Sequence, residues 1–226
     1  MKTLFLFSLI SLLTGNPFIA LVILILIYVF IDRTFIGILP DFMASWRRWA
    51  RTGELERIVK ANPHNGDALL ELGTIYFNKK QYRRAIDVLE QSYEKMKDWP
   101  DVHFYLGAAK YEVGETNQGL AEIKEAIDLN PRISHGFPYI YLIRACLEKK
   151  NSCCRDIDDF ENRLLRFGSV HAFFQAGKLF YKYGEKSRSQ KFFREVLDNY
   201  RFSSPTFRRT YRRIAIQTRF YLKTMK

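Results

Sequence analysis

The sequence predicts an all-α protein: an N-terminal transmembrane or re-entrant hydrophobic helix (or pair of helices), then a helical-hairpin solenoid with a C-terminal capping helix. Three observations carry this. Residues 4–14 and 18–31 are uncharged apolar runs. Gly73 and Gly107 stand 34 residues apart in similar surroundings, and Gly177 follows 70 residues later. From 205 to 226, apolar side chains recur at helical spacing while cations fill the opposite side.

The apolar runs are separated by Gly15-Asn16-Pro17. No small-x-small cleavage site follows the first run, so the segment reads as retained. Two geometries fit. One kinked helix over 4–31 would span roughly 40 Å at about 1.5 Å per residue, more than the ~30 Å hydrocarbon core. A hairpin turning at Asn16-Pro17 would instead dip in and return. Only Lys2 precedes the runs, whereas Arg33, Arg47, Arg48, Arg51, Arg57 and Lys60 follow them. The positive-inside bias therefore places the remainder in the cytoplasm, at the inner (cytoplasmic) membrane. Residues 1–40 are the expected anchor and 41–65 a juxtamembrane amphipathic helix or half repeat. Trp46 and Trp49, interleaved with Arg47, Arg48 and Arg51, suit the headgroup layer or, alternatively, the core of a first solenoid helix.

Composition narrows the functional classes. Net charge is +12, but residues 61–200 carry 21 basic and 20 acidic side chains while 201–226 carry 8 basic and none acidic. Basicity thus lies in the flanks. Glycine and proline are sparse, which excludes collagen-like and low-complexity chains. Three cysteines make neither a disulfide framework nor a zinc site, and a reducing compartment is expected.

Self-comparison reveals the period. Asn62-Pro63 precedes LLELGTIYF (69–77), Ala85 and Leu89, and Asn130-Pro131 closes a unit with FYLGAAKYEVG (104–114) and Ala126. A later unit contains FFQAGKLFYKYG (173–184). These residues resemble the tetratricopeptide repeat, with Leu69, Leu72-Gly73, Tyr76 and Ala85 in one unit and Leu106-Gly107, Ala126 and Pro131 in the next. Units are expected at 66–99, 100–133 and 170–203, with a degenerate one at 134–169 whose eighth position is Tyr141. The glycines should let paired helices approach closely, with Ala85 and Ala126 doing the same from the partner helix. Pro205 opens the basic capping helix of 204–226.

No catalytic, cofactor or metal constellation emerges. Phosphate-cradling glycine loops, His-Glu-x-x-His and Gly-x-Ser-x-Gly are absent from the sequence. His64, His103, His135 and His171 fall one per unit, and Asp156, Asp158, Asp159 and Glu161 read as a solvated helix face. The resemblance instead implies a concave groove lined by Leu70, Phe77, Phe104, Tyr111, Phe174, Lys178 and Tyr181, suited to a protein partner's peptide segment. The cations Arg208, Arg209, Arg212, Arg213 and Arg219 fit anionic headgroups of a lipid bilayer better than nucleic acid. The expected function is a non-enzymatic, membrane-anchored cytoplasmic adaptor or scaffold. The alternatives are a nucleic-acid-binding protein acting through the basic helix and a structural subunit of a larger membrane complex.

Overall fold

A computed structural model describes residues 2–31, 42–148 and 156–225 of the chain. Helices α1 (Lys2–Thr14) and α2 (Pro17–Ile31) come first. Gly15, at φ +63°, takes the left-handed conformation that ends α1 without a Cβ penalty. Asn16 then caps α2 by accepting the Phe18 N–H at 2.8 Å, with Pro17 preset in the first helical position. The two helices pack on one another. Ala20 is fully buried, and Phe7, Ile10, Ser11 and Thr14 on α1 are half-buried at three- and four-residue spacing, as are Ile23 and Leu24 on α2. A helical hairpin results.

The continuous transmembrane span is therefore corrected. At about 1.5 Å per residue the arms reach roughly 20 and 22 Å, short of the ~30 Å hydrocarbon core. Among the described residues no helix is long and apolar enough to cross a membrane. Arg33 lies outside the described residues.

The solenoid begins with α3 (Phe42–Ala61) and continues through the pairs α4 (Gly66–Asn78) and α5 (Tyr82–Tyr93), α6 (Pro100–Glu112) and α7 (Thr116–Leu129), α8 (Phe137–Glu148) and α9 (Ile157–Phe167), and α10 (Val170–Lys182) and α11 (Lys186–Phe202). The last described helix, α12, runs Pro205–Thr224. Local chemistry sets the starts: Asn65 accepts the Ala68 N–H, Ser169 that of Ala172, and Ser204 that of Phe207 just before Pro205. Two apolar clusters run along the stack. One joins Leu55, Leu72, Tyr76, Ala85, Leu89 and Leu106, and the other extends from Phe104 to Met225. Phe77 and Tyr105 border both, so each hairpin covers its neighbour's apolar face.

Glycines set tight approaches between paired helices. A Cβ on Gly107 would lie 2.6 Å from the Gly119 carbonyl oxygen, and one on Gly119 would lie 2.6 Å from the Gly107 oxygen. Gly73 faces Leu89, and Gly177 faces the Phe193 ring. Ala85 and Ala126 are fully buried.

The third pair enters differently. Ser134, His135 and Gly136 all have positive φ within a 3₁₀ turn, Ile133–Gly136, that precedes α8. The His135 carbonyl accepts the Ser169 N–H at 3.0 Å, which ties this turn to the start of α10. The turn delays α8 until Phe137, three residues after the expected unit start at 134. With a unit counted from Phe137, Tyr141 occupies the fifth position rather than the eighth.

Two sequence expectations are overturned between α8 and α11. Cys146 is disulfide-bonded, contrary to a chain of reduced thiols; Cys153 and Cys154 lie outside the described residues. Glu161 is not solvated but 3% exposed. It sits beneath Arg188 at 3.1 Å and Lys191 at 3.5 Å, tying α9 to α11. Burial pushes its carboxyl up, against the pull of both cations. Asp158 and Asp159 are exposed and pair with Arg188 and Arg163.

Candidate peptide-binding groove

The first helices of successive pairs, α6, α8 and α10, together with α12, surround a cavity of about 460 Å³. Its walls are Phe137, Ile140 and Tyr141 from α8, Leu179 and Tyr181 from α10, and Tyr221 from α12. Glu112, Arg144, Lys178 and Lys182 supply charge. A volume of this size, mostly apolar with a few fixed polar groups, suits one or two side chains of a bound segment.

A polar network fixes the floor. Arg144 donates through Nε to Glu148 and through Nη1 to Glu112, each at 2.8 Å, and its guanidinium lies 5.0 Å from the Tyr111 ring centre. Tyr111 and Tyr183 both donate to Glu148. Burial would raise the Glu148 carboxyl, but the Tyr111 hydroxyl and Arg144 outweigh it and hold the group below the usual carboxylate range. Burial pushes the Tyr111 and Tyr141 phenols well up. Helices α6, α8 and the end of α10 are thereby stitched together by charge-assisted bonds.

Lys178 and Lys182 are the uncompensated charges. They stand one turn apart on α10, over the Phe174 and Tyr183 rings at 5.5 Å each, and neither pairs with a carboxylate among the described residues. The cavity rim is therefore positive, with apolar walls between.

The expected groove residues divide. Lys178 and Tyr181 line this cavity, Tyr181 being 40% exposed. Leu70 and Phe77 are half-buried beside the first cluster. Phe104, Tyr111 and Phe174 are only 3%, 5% and 6% exposed. They are core beneath the groove, because neighbouring hairpins close over their rings: Phe104 and Tyr111 meet Tyr141 edge-on, and Phe174 meets Tyr221. Ile140, Tyr141, Arg144, Lys182 and Tyr221 are groove residues that sequence reasoning misses. The signal that finds Tyr141 is a unit starting at Phe137. It makes Tyr141 and Glu148 the fifth and twelfth positions, equivalent to Phe104 and Tyr111, with Arg144 between.

The cationic residues divide as well. Trp46 and Trp49 are exposed rather than core, beside exposed Arg47 and Arg48. Arg51 is engaged: Glu71 accepts from it at 2.7 and 2.6 Å and Glu54 at 2.9 Å, clamping α3 to α4. Its hydrogen bonds hold Glu71 below the usual carboxylate range. Trp49 also borders a second cavity of about 610 Å³ with Glu56, Tyr76, Lys79 and Arg84. There burial and the Glu56 bond push the Tyr76 phenol up to about 12. Arg208, Arg209, Arg213 and Arg219 are exposed on α12, and Arg212 is half-buried.

The histidines share no site. His64, His135 and His171 are exposed, while His103 is buried between the Glu122 carboxylate at 2.7 Å and the Lys97 carbonyl at 2.6 Å. Among the described residues no three His, Cys, Asp or Glu side chains gather to hold a metal.

Residues 67–95 match the tetratricopeptide repeat family. A search of curated proteins returns no match. Among solved structures, the thermophilic TPR protein TTC0263 of Thermus thermophilus is 15% identical, with a TM-score of 0.60 over 82% of this chain and 93% of its own. Two crystal structures of MamA are 19% and 17% identical, with TM-scores of 0.50 and 0.52. They cover 65% and 72% of this chain and 85% and 90% of theirs. At such identities the likeness is one of fold. Residues 67–95 thus match one tetratricopeptide repeat, and the helical array around them shares the solenoid fold of these structures.

Proposed function

We propose that the chain is a non-enzymatic scaffold, held at the cytoplasmic face of the inner membrane by its α1–α2 hairpin, that captures a protein partner in the groove between α6, α8, α10 and α12. A tetratricopeptide fold is suited to protein–protein contact, and the observation that carries the reading here is the open apolar cavity with uncompensated Lys178 and Lys182 at its rim. The matching segment is an apolar side chain flanked by a carboxylate. Confinement at a surface raises effective concentration, so a shallow groove suffices.

The hairpin supports shallow insertion. Its outward side chains are large and apolar: Phe5 is 72% exposed, Leu12 83%, Phe18 78% and Phe30 67%. The tip is self-satisfied, since Thr14 Oγ1 donates to the Ile10 carbonyl and Asn16 caps α2, which lowers the cost of carrying that backbone into lipid. A hairpin also leaves Lys2 and the arginines after residue 46 on one side, in accord with the positive-inside bias. The Cys146 disulfide pulls the other way, since such bonds persist in oxidising compartments.

Three measurements test the reading. Full-length protein should sediment with membranes and resist protease added to intact cells. Partners recovered from solubilised membranes should be lost with Lys178→Glu/Tyr181→Ala, whose side chains are partly exposed and leave the core intact. Undiminished recovery, or digestion of the solenoid from outside, overturns the proposal.

A further inference from the structure

α12 packs one side on α10 and α11, and the side that a surface helix turns away from its neighbours is ordinarily polar. α12 departs from this. At about 100° per residue, Arg208, Arg213, Ile216, Arg219, Phe220 and Lys223 fall within an arc of roughly 140°, opposite the packed Ile214, Thr218 and Met225. At about 1.5 Å per residue the stripe is about 22 Å long. Ile216 is 47% exposed and Phe220 67%. No acidic residue follows Asp198, and the four named cations are exposed and form no ion pair among the described residues. An apolar ridge thus projects from a cationic face, although nothing in the fold needs those two side chains outside.

We infer that α12 is a second membrane contact, lying in an anionic headgroup layer with Ile216 and Phe220 dipping below it and Arg208, Arg213, Arg219 and Lys223 meeting lipid phosphates. Measured from Arg208, the apolar pair sits at about 80° and 120° of the arc with cations on both flanks, the arrangement of an interfacial helix. Nucleic acid would meet the same charges, but Ile216 offers no stacking face and the two apolar groups would keep phosphates away from that part of the stripe. The inference shares with the proposed function only the presence of a bilayer, and the groove plays no part in it.

The test uses the full chain and phosphatidylcholine vesicles made with and without phosphatidylglycerol. Binding to neutral vesicles reports the hairpin. The increment on adding anionic lipid reports α12. Each cation removed should weaken that increment about fivefold, the equivalent of about 1 kcal/mol at the surface. Arg213→Gln/Arg219→Gln should therefore lose roughly thirtyfold in anionic vesicles and nothing in neutral ones. Salt near 1 M, where the Debye length falls to about 3 Å, should erase the increment in the parent. Phe220→Trp should gain an emission component that shifts to the blue on anionic vesicles. Equal anionic increments for parent and double variant overturn the inference. So does a double variant that keeps the increment but loses binding to duplex DNA or poly(U), which would make the stripe a nucleic-acid surface.

Discussion

Replacing Gly107 by alanine tests how the central hairpin is held. A methyl group there would lie 2.6 Å from the Gly119 oxygen, 2.8 Å from the Glu122 Cβ and 2.9 Å from the Ile123 amide nitrogen. Two of these are backbone atoms of α7, and ordinary contact begins at about 3.4 Å, so relief requires moving a whole helix by most of an ångström. Overpacking of this kind costs about 1–3 kcal/mol, and backbone obstruction puts it at the upper end. Removing glycine from a helix interior returns only about 0.5–1 kcal/mol. A net loss of about 2 kcal/mol follows, roughly 4–8 °C in Tm for a chain of this size. Gly53 is the internal control, because it lies inside α3 with nothing within 4 Å of a new Cβ. Gly53→Ala should show the propensity gain alone. Thermal and urea unfolding followed by circular dichroism reads both. A Gly107→Ala protein as stable as its parent, or one stabilised as much as Gly53→Ala, refutes the close-approach reasoning.

Other consequences follow from the buried polar groups. His103→Leu leaves the Lys97 carbonyl and Glu122 without their ring partner, and urea unfolding should show a loss of about 2 kcal/mol. Glu148 is held below the usual carboxylate range, so its stabilising contribution is present above that range and fades as pH falls through the lowered folded value. Glu148→Gln should accordingly flatten the acid limb of a Tm–pH profile; an unchanged limb would count against the network. Glu161 behaves oppositely: its folded value is raised, so it stabilises most below the ordinary carboxylate range and that contribution is lost as pH rises through the raised value. Glu161→Gln should equal or exceed the parent's Tm near neutrality and lose that advantage in acid.

Much of the architecture is readable because repeats declare themselves through glycine spacing and helix ends. Gly73, Gly107 and Gly177, the Asn-Pro pairs and Pro205 each act within a few residues, so local chemistry suffices to read them. The pairing of Gly107 with Gly119 is hidden because it depends on the crossing geometry of α6 and α7 rather than on pattern. The groove is half legible. The repeat register identifies the right faces, but side-chain size decides depth: Phe104, Tyr111 and Phe174 are large enough to reach the next element and be covered. In the third pair, the left-handed run at Ser134–Gly136 shifts the register by three residues and conceals Tyr141, Arg144 and Glu148. At the N-terminus, hydropathy alone does not choose between a kinked span and a hairpin. The left-handed Gly15 and the buried Ala20 make that choice.

The most direct measurement of the account is site-specific photo-crosslinking in cells expressing the full chain. A photoreactive side chain at Tyr181 or Ile140, in the groove, should give a discrete protein adduct in the membrane fraction. The same group at exposed Trp99, outside the cavity, should not. Adducts that are identical at all three positions, or absent from the groove positions, would contradict a groove that holds a partner beside the bilayer.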